Sequence, residues 1–395
     1  MLRIAFVDDE PNVLKGISRA LMSMRGAWEM VFCGSGAEAL AQMREKPFDI
    51  VVTDMRMPEM DGAELLSRVR ALSPATVRII LSGYAESDAI LRTVGPAHIY
   101  LAKPCSAEAL RQAVLRQIAL RALLEDPALR ALLAGLGNLP SLPDVYARLQ
   151  EELISANSSP RGIAAIVAED VAMTAELMRI ANSAFFAASG HVTSLLSAVS
   201  LLGVEVIQTL VLRIGVFRQF SGKPEQAQVL EGMTRHSLIA AEIAQHIVVM
   251  EGGDDATAKS ARIAGMLSDI GRIVLFDAYP QRYRALMADG GGLPLHLREQ
   301  QAFGAAGTLI GAYLLGLWGF SDQIVEAVAH CQTPSACPGR DNLVLTALHG
   351  AFALGPPFSL NGGEGGLVMC PLDQDYLNAT GCAPHLRHWR DVLAP

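Results

Sequence analysis

The chain has 395 residues, more than one average hydrophobic core organises, so two or three domains are expected. It is 51% hydrophobic and only 6% aromatic, a composition suited to helices packed through Ala, Leu, Val and Ile. A formal charge of -8 argues against a nucleic-acid phosphate backbone as the main partner. Met1-Leu2-Arg3-Ile4 leads straight into a strand with no signal-peptide pattern. The longest apolar region, 195 to 217, is broken by Glu205, Gln208 and Arg213, so no membrane span is expected. Six cysteines contain no CxxC pair, and the expectation is a reduced, soluble, cytoplasmic protein.

From residue 1 to about 120, short apolar runs alternate with amphipathic segments. The runs 2–7, 30–33, 48–53, 77–81 and 99–102 read as strands, and helical patterns fall near 11–24, 36–44, 62–71, 86–94 and 106–124. Such alternation predicts an α/β domain with a parallel sheet covered on both faces. Ser106 is a good N-cap, with Glu108 in the first turn of the helix that follows.

The third run ends in Asp54, followed by a turn containing Pro58 and closed by Asp61-Gly62. In an open α/β sheet, ligand chemistry sits just outside the carboxyl ends of the strands. Asp8, Asp9 and Glu10 follow the first strand, which neighbours the third in a doubly wound sheet. Clustered carboxylates repel, and a hard divalent ion removes the conflict. Mg²⁺ suits because it binds through one or two carboxylates, keeps waters and leaves room for phosphate oxygens. An Asp carboxylate beside such an ion can attack phosphorus and form an aspartyl phosphate. The fourth and fifth strands end in Ser82 and Lys103, a hydroxyl and a cation able to steady the transferring group. Lys103 precedes Pro104, where a cis bond is possible and would aim the ammonium inward. Singly, each of these residues is as well explained by a cap, a turn or a loop. Together, at the ends of successive strands, they point to a phosphoryl site.

Residues 1–120 resemble the receiver domain of two-component response regulators over that domain's full length. The resemblance implies a flavodoxin-like, five-stranded parallel sheet of order 2-1-3-4-5. It makes Asp54 the phosphoacceptor, supplied by a histidine kinase. It makes Asp9 and Asp54 the Mg²⁺ ligands, with Asp8 in support and the backbone carbonyl of Arg56 as a further ligand. Ser82 becomes the switch hydroxyl, Lys103 the phosphate-binding cation and Tyr100 the switch aromatic. Phosphoryl oxygens would draw Ser82 inward and vacate space for Tyr100 to turn into the sheet edge. The alternative for Tyr100 is a plain edge aromatic.

Residues 106–138 form a linker region overlapping the last receiver helix. Its stripe includes Leu110, Val114, Ile118, Leu120, Leu123, Leu124, Leu129, Leu132 and Leu133, and Pro127 marks a kink or a break. The stripe packs within the chain or pairs with its copy in a homodimer, packing being favoured.

From 139 to 395 helical periodicity dominates and predicts an all-α domain. Val145, Leu149 and Leu153 share a face, and Ser159-Pro160 starts the next helix. Further helices fall near 171–182, 195–202, 204–219, 228–250, 257–277, 280–288, 295–315 and 321–331, before a loop-like tail after Gly355. The stretch 195–217 has the helix–Gly–helix spacing of a DNA-binding helix-turn-helix. Its second helix offers only Glu205, Gln208, Arg213 and Arg218, too little positive charge for phosphate contacts.

Asn138-Leu-Pro-Ser-Leu-Pro, Ala181-Asn182-Ser183-Ala184-Phe185, Ala198 with Leu202-Gly203, and Gly265-Met266-Leu267-Ser268-Asp269-Ile270-Gly271 together resemble the HDOD domain, a relative of the HD phosphohydrolases of bacterial signalling proteins. The resemblance implies a helical bundle over about 139–225 and a degenerate HD-like core over about 226–350. A true HD hydrolase uses a His-Asp dyad and outlying ligands to hold metal that activates water. Here His236 and Asp269 remain, Ser268 stands where the dyad histidine should be, Gly307 stands where His is frequent, and Cys331 follows His330. His349 lies near the expected last acid. Serine is a poor substitute for imidazole, so no metal and no hydrolysis are expected in this domain.

The expected protein is a response regulator with Mg²⁺ in its receiver and a non-catalytic helical output module. It would take its signal from a histidine kinase and pass it to an unidentified downstream signalling protein. Its rivals are an HD-type cyclic-dinucleotide phosphodiesterase and a DNA-binding regulator.

Overall fold

The computed structural model describes residues 2–82, 96–124, 126–136, 139–155, 157–183, 192–214, 216–220, 223–288, 293–339, 342–356 and 370–393. The chain divides into two compact units, the first built mainly from Met1–Asn138 and the second beginning at Leu139.

In the first unit, strands β1 (Leu2–Val7), β2 (Trp28–Cys33), β3 (Ile50–Asp54), β4 (Val77–Ser82) and β5 (Ile99–Ala102) form one parallel sheet of order β2-β1-β3-β4-β5. The apolar side chains of β1 and β3 are almost all buried, which is why these strands read as hydrophobic runs, broken within β1 by Arg3. The register sets Val7 opposite Thr53, Asp54 opposite Leu81 and Ser82 opposite Ala102, so the carboxyl ends of the strands lie level. Helices Pro11–Ala20, Gly36–Glu45, Gly62–Leu72 and Ala107–Leu123 connect or follow the strands. The first is shorter than expected, giving way to a 3₁₀ turn at Met22–Met24, and β2 starts two residues earlier than its apolar run. The helix expected near 86–94 lies outside the described residues.

The stripe expected over 106–133 is two helices. Ser106 caps the first by accepting from Ala109 N. The second, Pro127–Gly135, has proline at its first position and the Asp126 carboxylate accepting from Ala128 N, 2.8 Å. Leu110, Val114, Leu120, Leu124, Leu129 and Leu133 are all buried within the chain. Arg78, a charge inside the apolar β4, is fully buried. Its Nη2 donates to Ala134 O (2.8 Å) at the carboxyl end of the Pro127–Gly135 helix, where a cation meets the negative pole of the helix. His98 Nδ1 accepts from Arg78 N (3.1 Å), and its Nε2 lies 2.7 Å from Arg78 Nη2 and 3.0 Å from the same carbonyl. Burial lowers the Arg78 pKa to about 9.

The second unit is mostly helical. Ser159 caps its helix as expected, accepting from Gly162 N at 3.0 Å. Four sequence-based expectations need correction. The helix expected over 204–219 stops at Gln208, continues as a π-helical turn Thr209–Ile214, and ends in Arg218–Gln219, which pairs in parallel with Pro140–Ser141. The stretches read as single helices over 257–277 and 295–315 are each two helices, Asp255–Met266 with Ile270–Ala278 and Leu295–Phe303 with Gly307–Leu317. The second break falls at Gly304, whose φ of 83° is a left-handed cap that favours glycine. The tail is not all loop: Gln374–Ala379 and Leu386–Leu393 are helical. Trp389 is fully buried there and donates from Nε1 to Glu251 Oε1 at 2.8 Å, a tertiary anchor that periodicity cannot foresee.

Among the described residues no single helix is long and apolar enough to cross a membrane. The apolar pair Leu195–Leu202 and Val204–Leu212 is bent by 92° around Gly203. All six cysteines are free.

Candidate phosphoacceptor site

The first site forms at the carboxyl ends of β1 and β3, which lie side by side, with the end of β5 one strand further along the sheet beyond β4. Asp54 closes β3, and the turn after it folds back so that Gly62 N donates to Met55 O at 2.9 Å. A Cβ at Gly62 would collide with the Asp54 carbonyl, so glycine is required where the next helix starts. Asp61 caps that helix through Glu64 N, 2.8 Å. Arg56 N donates to Asp54 Oδ2 (3.2 Å), which places the Arg56 backbone beside the carboxylate. Glu10 N donates to Asp8 Oδ1 (2.9 Å), which fixes the acids after β1.

Lys103 joins them. Its Nζ lies 2.5 Å from Asp54 Oδ1 and 3.1 Å from Asp8 Oδ2, and the Lys103–Pro104 peptide bond is cis. Burial disfavours the Lys103 ammonium, but its hydrogen bonds to Asp54 and Asp8 and their charges outweigh that and raise its pKa. Asp8 is 2% exposed, Asp54 13% and Lys103 31%, so the cluster opens to solvent through the lysine and Asp54. Asp9 is exposed at its edge. Two carboxylates converging on one cation, with a third acid adjacent, form an oxygen-only set that fits a hard divalent ion. Among the described residues there is no group of three or more His, Cys, Asp or Glu that would cage a metal, and Mg²⁺ does not need one. Tyr100 is buried with Val7, Val51 and Ile80 in the core of the unit. Ser82 ends β4, and its side chain lies outside the described residues.

The second unit contains a different polar cluster. His236 Nδ1 lies 2.5 Å from Asp269 Oδ2, which also accepts from Ser237 Oγ at 3.1 Å. The other Asp269 oxygen is paired with Arg272. Arg272 Nε donates to Glu299 Oε1 (2.9 Å), and Glu299 also accepts from Tyr283 OH (2.6 Å) and Gly307 N (2.7 Å). Arg272, Asp269 and Glu299 are all fully buried. Burial opposes the Asp269 carboxylate, yet His236 and Arg272 hold its pKa below the ordinary range.

Of the four predicted residues of this cluster, the structure brings together only His236 and Asp269. Ser268 turns away, donating to Gly265 O at 2.7 Å. His330 is half-buried, its pKa lowered by burial, and joins no metal-binding group among the described residues. His349 Nε2 accepts from Asp373 N (2.9 Å), leaving Nδ1 to donate to Cys331 O at 2.8 Å. Arg272 and Glu299 were missed by sequence reasoning. The available signal was that Arg272 follows Asp269 by three residues and so shares its helical face. They also explain Gly307: a Cβ there would sit 2.5 Å from Arg272 Cγ, so a histidine at 307 and this arginine exclude each other.

A family model for the response regulator receiver domain matches residues 4–115, and one for the HDOD domain matches residues 139–334. The chain belongs to the receiver–HDOD response regulators. Transcriptional regulatory protein GlrR of Escherichia coli (strain K12) is 34% identical to this response regulator over 112 residues, 28% of this chain and 25% of that protein. The uncharacterized transcriptional regulatory protein YesN of Bacillus subtilis (strain 168) is 31% identical over 199 residues, 44% of this chain and 54% of that protein. The chain thus spans between about a quarter and about half the length of these curated relatives. The crystal structure of the MmoQ response regulator from Methylococcus capsulatus strain Bath aligns with 21% identity and a TM-score of 0.46, covering 64% of this chain and 98% of that one.

Proposed function

We propose that Asp54 accepts a phosphoryl group from a histidine kinase and that the HDOD domain passes the resulting change to a protein partner without hydrolysing anything itself. The observation that carries this reading is the Lys103 ammonium held between Asp8 and Asp54 at the open end of the sheet. An Asp54 oxygen attacks phosphorus; the new O–P bond forms as the bond from phosphorus to the donor's imidazole nitrogen breaks. Lys103 is placed to exchange part of its pairing with the acids for the incoming phosphoryl oxygens, and the Ser82 hydroxyl donates to another. Mg²⁺, held by Asp9 and Asp54 with Asp8 in support and by the Arg56 carbonyl, would supply further positive charge for those oxygens.

The route outward follows β4 and β5. Ser82 and Arg78 lie on β4, Tyr100 lies on β5, and His98 immediately precedes β5. Arg78 and His98 hold the Pro127–Gly135 helix through Ala134 O. A shift of Ser82 and Tyr100 therefore acts on strands that also hold the linker. On this reading the receiver occupies 1–120, the linker 106–138 and the HDOD domain 139–395. The non-catalytic part rests on Arg272, whose guanidinium already neutralises the acids that a catalytic metal would need.

Hydrogen exchange on the full chain, with and without Mg²⁺ and beryllofluoride as a phosphoryl mimic, tests the relay. Protection should change in the Pro127–Gly135 helix and beyond Leu139 in the wild type, and nowhere in Asp54→Asn. Changes confined to residues before 106 contradict the relay.

A further inference from the structure

The HDOD domain contains a cavity of about 300 Å³ between the helix Pro160–Val167, the start of Leu195–Leu202 and the helix Asp255–Met266. Its walls are aliphatic, formed by Ala164, Leu195, Ile263 and Met266, and its rim carries Arg161, Lys259 and Arg262. Among the described residues that line it there is no carboxylate. This is a local concentration of positive charge in a chain whose net charge is -8.

The bonds that these cations already make leave them available. Lys259 pairs with Asp255 at 2.5 Å, but the Asp255 side chain is largely in water and that of Lys259 partly so, and such a pair exchanges partners at little cost. Arg262 donates to the neutral amide oxygen of Gln245 (3.2 Å), which satisfies one N–H and leaves the charge unbalanced by that bond. Arg161 stands exposed in the first turn of its helix. Ser194 lines the same cavity as the N-cap of Leu195–Leu202, so the positive end of that helix faces the site. A purely polar anion would gain nothing from the aliphatic walls, and a neutral apolar molecule would gain nothing from the three cations.

We propose that this cavity binds a small amphiphilic anion, its aliphatic body against Leu195, Ile263 and Met266 and its phosphate or carboxylate head on Arg161, Lys259 and Arg262. The site is separate from the phosphoacceptor and gives the HDOD domain a chemical input of its own.

Calorimetric titration of the full chain in Mg²⁺-free buffer tests it with four probes: n-hexyl phosphate, n-hexanoate, n-hexanol and inorganic phosphate. One of the two amphiphilic anions should bind one per chain, and the stronger of them identifies the head group. Hexanol and inorganic phosphate should each bind roughly tenfold more weakly or worse, the discrimination expected of a charged hydrogen-bonded head on an apolar body. The pair Arg161→Gln with Arg262→Gln should weaken the anion roughly tenfold or more. Ala165→Trp, at an exposed position lining the cavity, should block it sterically, and both variants should melt as the wild type does. Asp54→Asn should bind unchanged, which separates this site from the phosphoacceptor. Equal binding in folded cavity variants, equal affinity for hexanol or inorganic phosphate, loss in Asp54→Asn, or no binding of either amphiphile would overturn the proposal.

Discussion

Each half of the molecule sets one cation among acids, and the two sites differ in what surrounds them. In the receiver, Lys103 bridges Asp8 and Asp54 with 31% of its side chain exposed. In the HDOD domain, Arg272 bridges Asp269 and Glu299 with none exposed. A partly hydrated ammonium on a flexible stem can trade carboxylate oxygens for phosphoryl oxygens at small cost. A sealed guanidinium on two acids has nothing to trade with, because releasing either acid leaves a buried charge. The same pattern of charges is open to water in one place and sealed from it in the other, and on the proposed function that access is what separates chemistry from architecture.

The sealed site should respond most to damage. Arg272→Met leaves Asp269 and Glu299 as buried acids without their cation and should destabilise the HDOD domain by about 3 to 5 kcal/mol in urea unfolding. An unchanged midpoint would mean that the cluster is hydrated and the contrast false.

A third buried acid sharpens the comparison. Asp170 is bonded to backbone amides, accepting from Leu142 N (2.6 Å) and Met173 N (2.8 Å). Burial pushes its pKa up to about 6, against those hydrogen bonds. The folded state therefore binds this proton more tightly than the unfolded state does. The stabilisation is complete below the unfolded value of 3.8 and is lost as pH rises through about 6. Asp170→Asn should flatten that part of the stability profile, removing a slope worth about 3 kcal/mol across the window. A slope that survives the substitution belongs to another group.

At the open site, stability should move least. Lys103→Met should cost the receiver about 1 kcal/mol in thermal or urea unfolding. Phosphoryl uptake from a small donor should nonetheless fall at least roughly tenfold, since a charge-assisted contact to the transferring group is gone. A large stability loss with normal uptake would reverse the roles assigned to the two cations.

How much was legible beforehand follows the same division. The receiver was readable because its candidate site residues sit at strand ends: Asp8, Asp54, Ser82 and Lys103 each interrupt an apolar run, and a parallel sheet gathers those ends along one edge. Arg78 interrupts β4 as well and was passed over, because its partner is a carbonyl 56 residues away and no local pattern encodes that. In the HDOD domain, Ser268 and Gly307 showed what was missing, but not that Arg272 stands in its place. That fact depends on helices meeting across the core, where Glu299 and Asp269 lie 30 positions apart. The break at Gly304 was hidden for a related reason, since the flanking helices keep a continuous apolar pattern while the backbone turns.

The central claim is that Asp54 is the group that takes the phosphoryl. Incubation of the full chain with Mg²⁺ and acetyl phosphate, followed by mass spectrometry of intact and digested protein, addresses it directly. The wild type should gain one base-labile phosphoryl group on the peptide containing Asp54, and Asp54→Asn should gain none. Equal labelling of Asp54→Asn, or label mapped to another residue, would contradict the account.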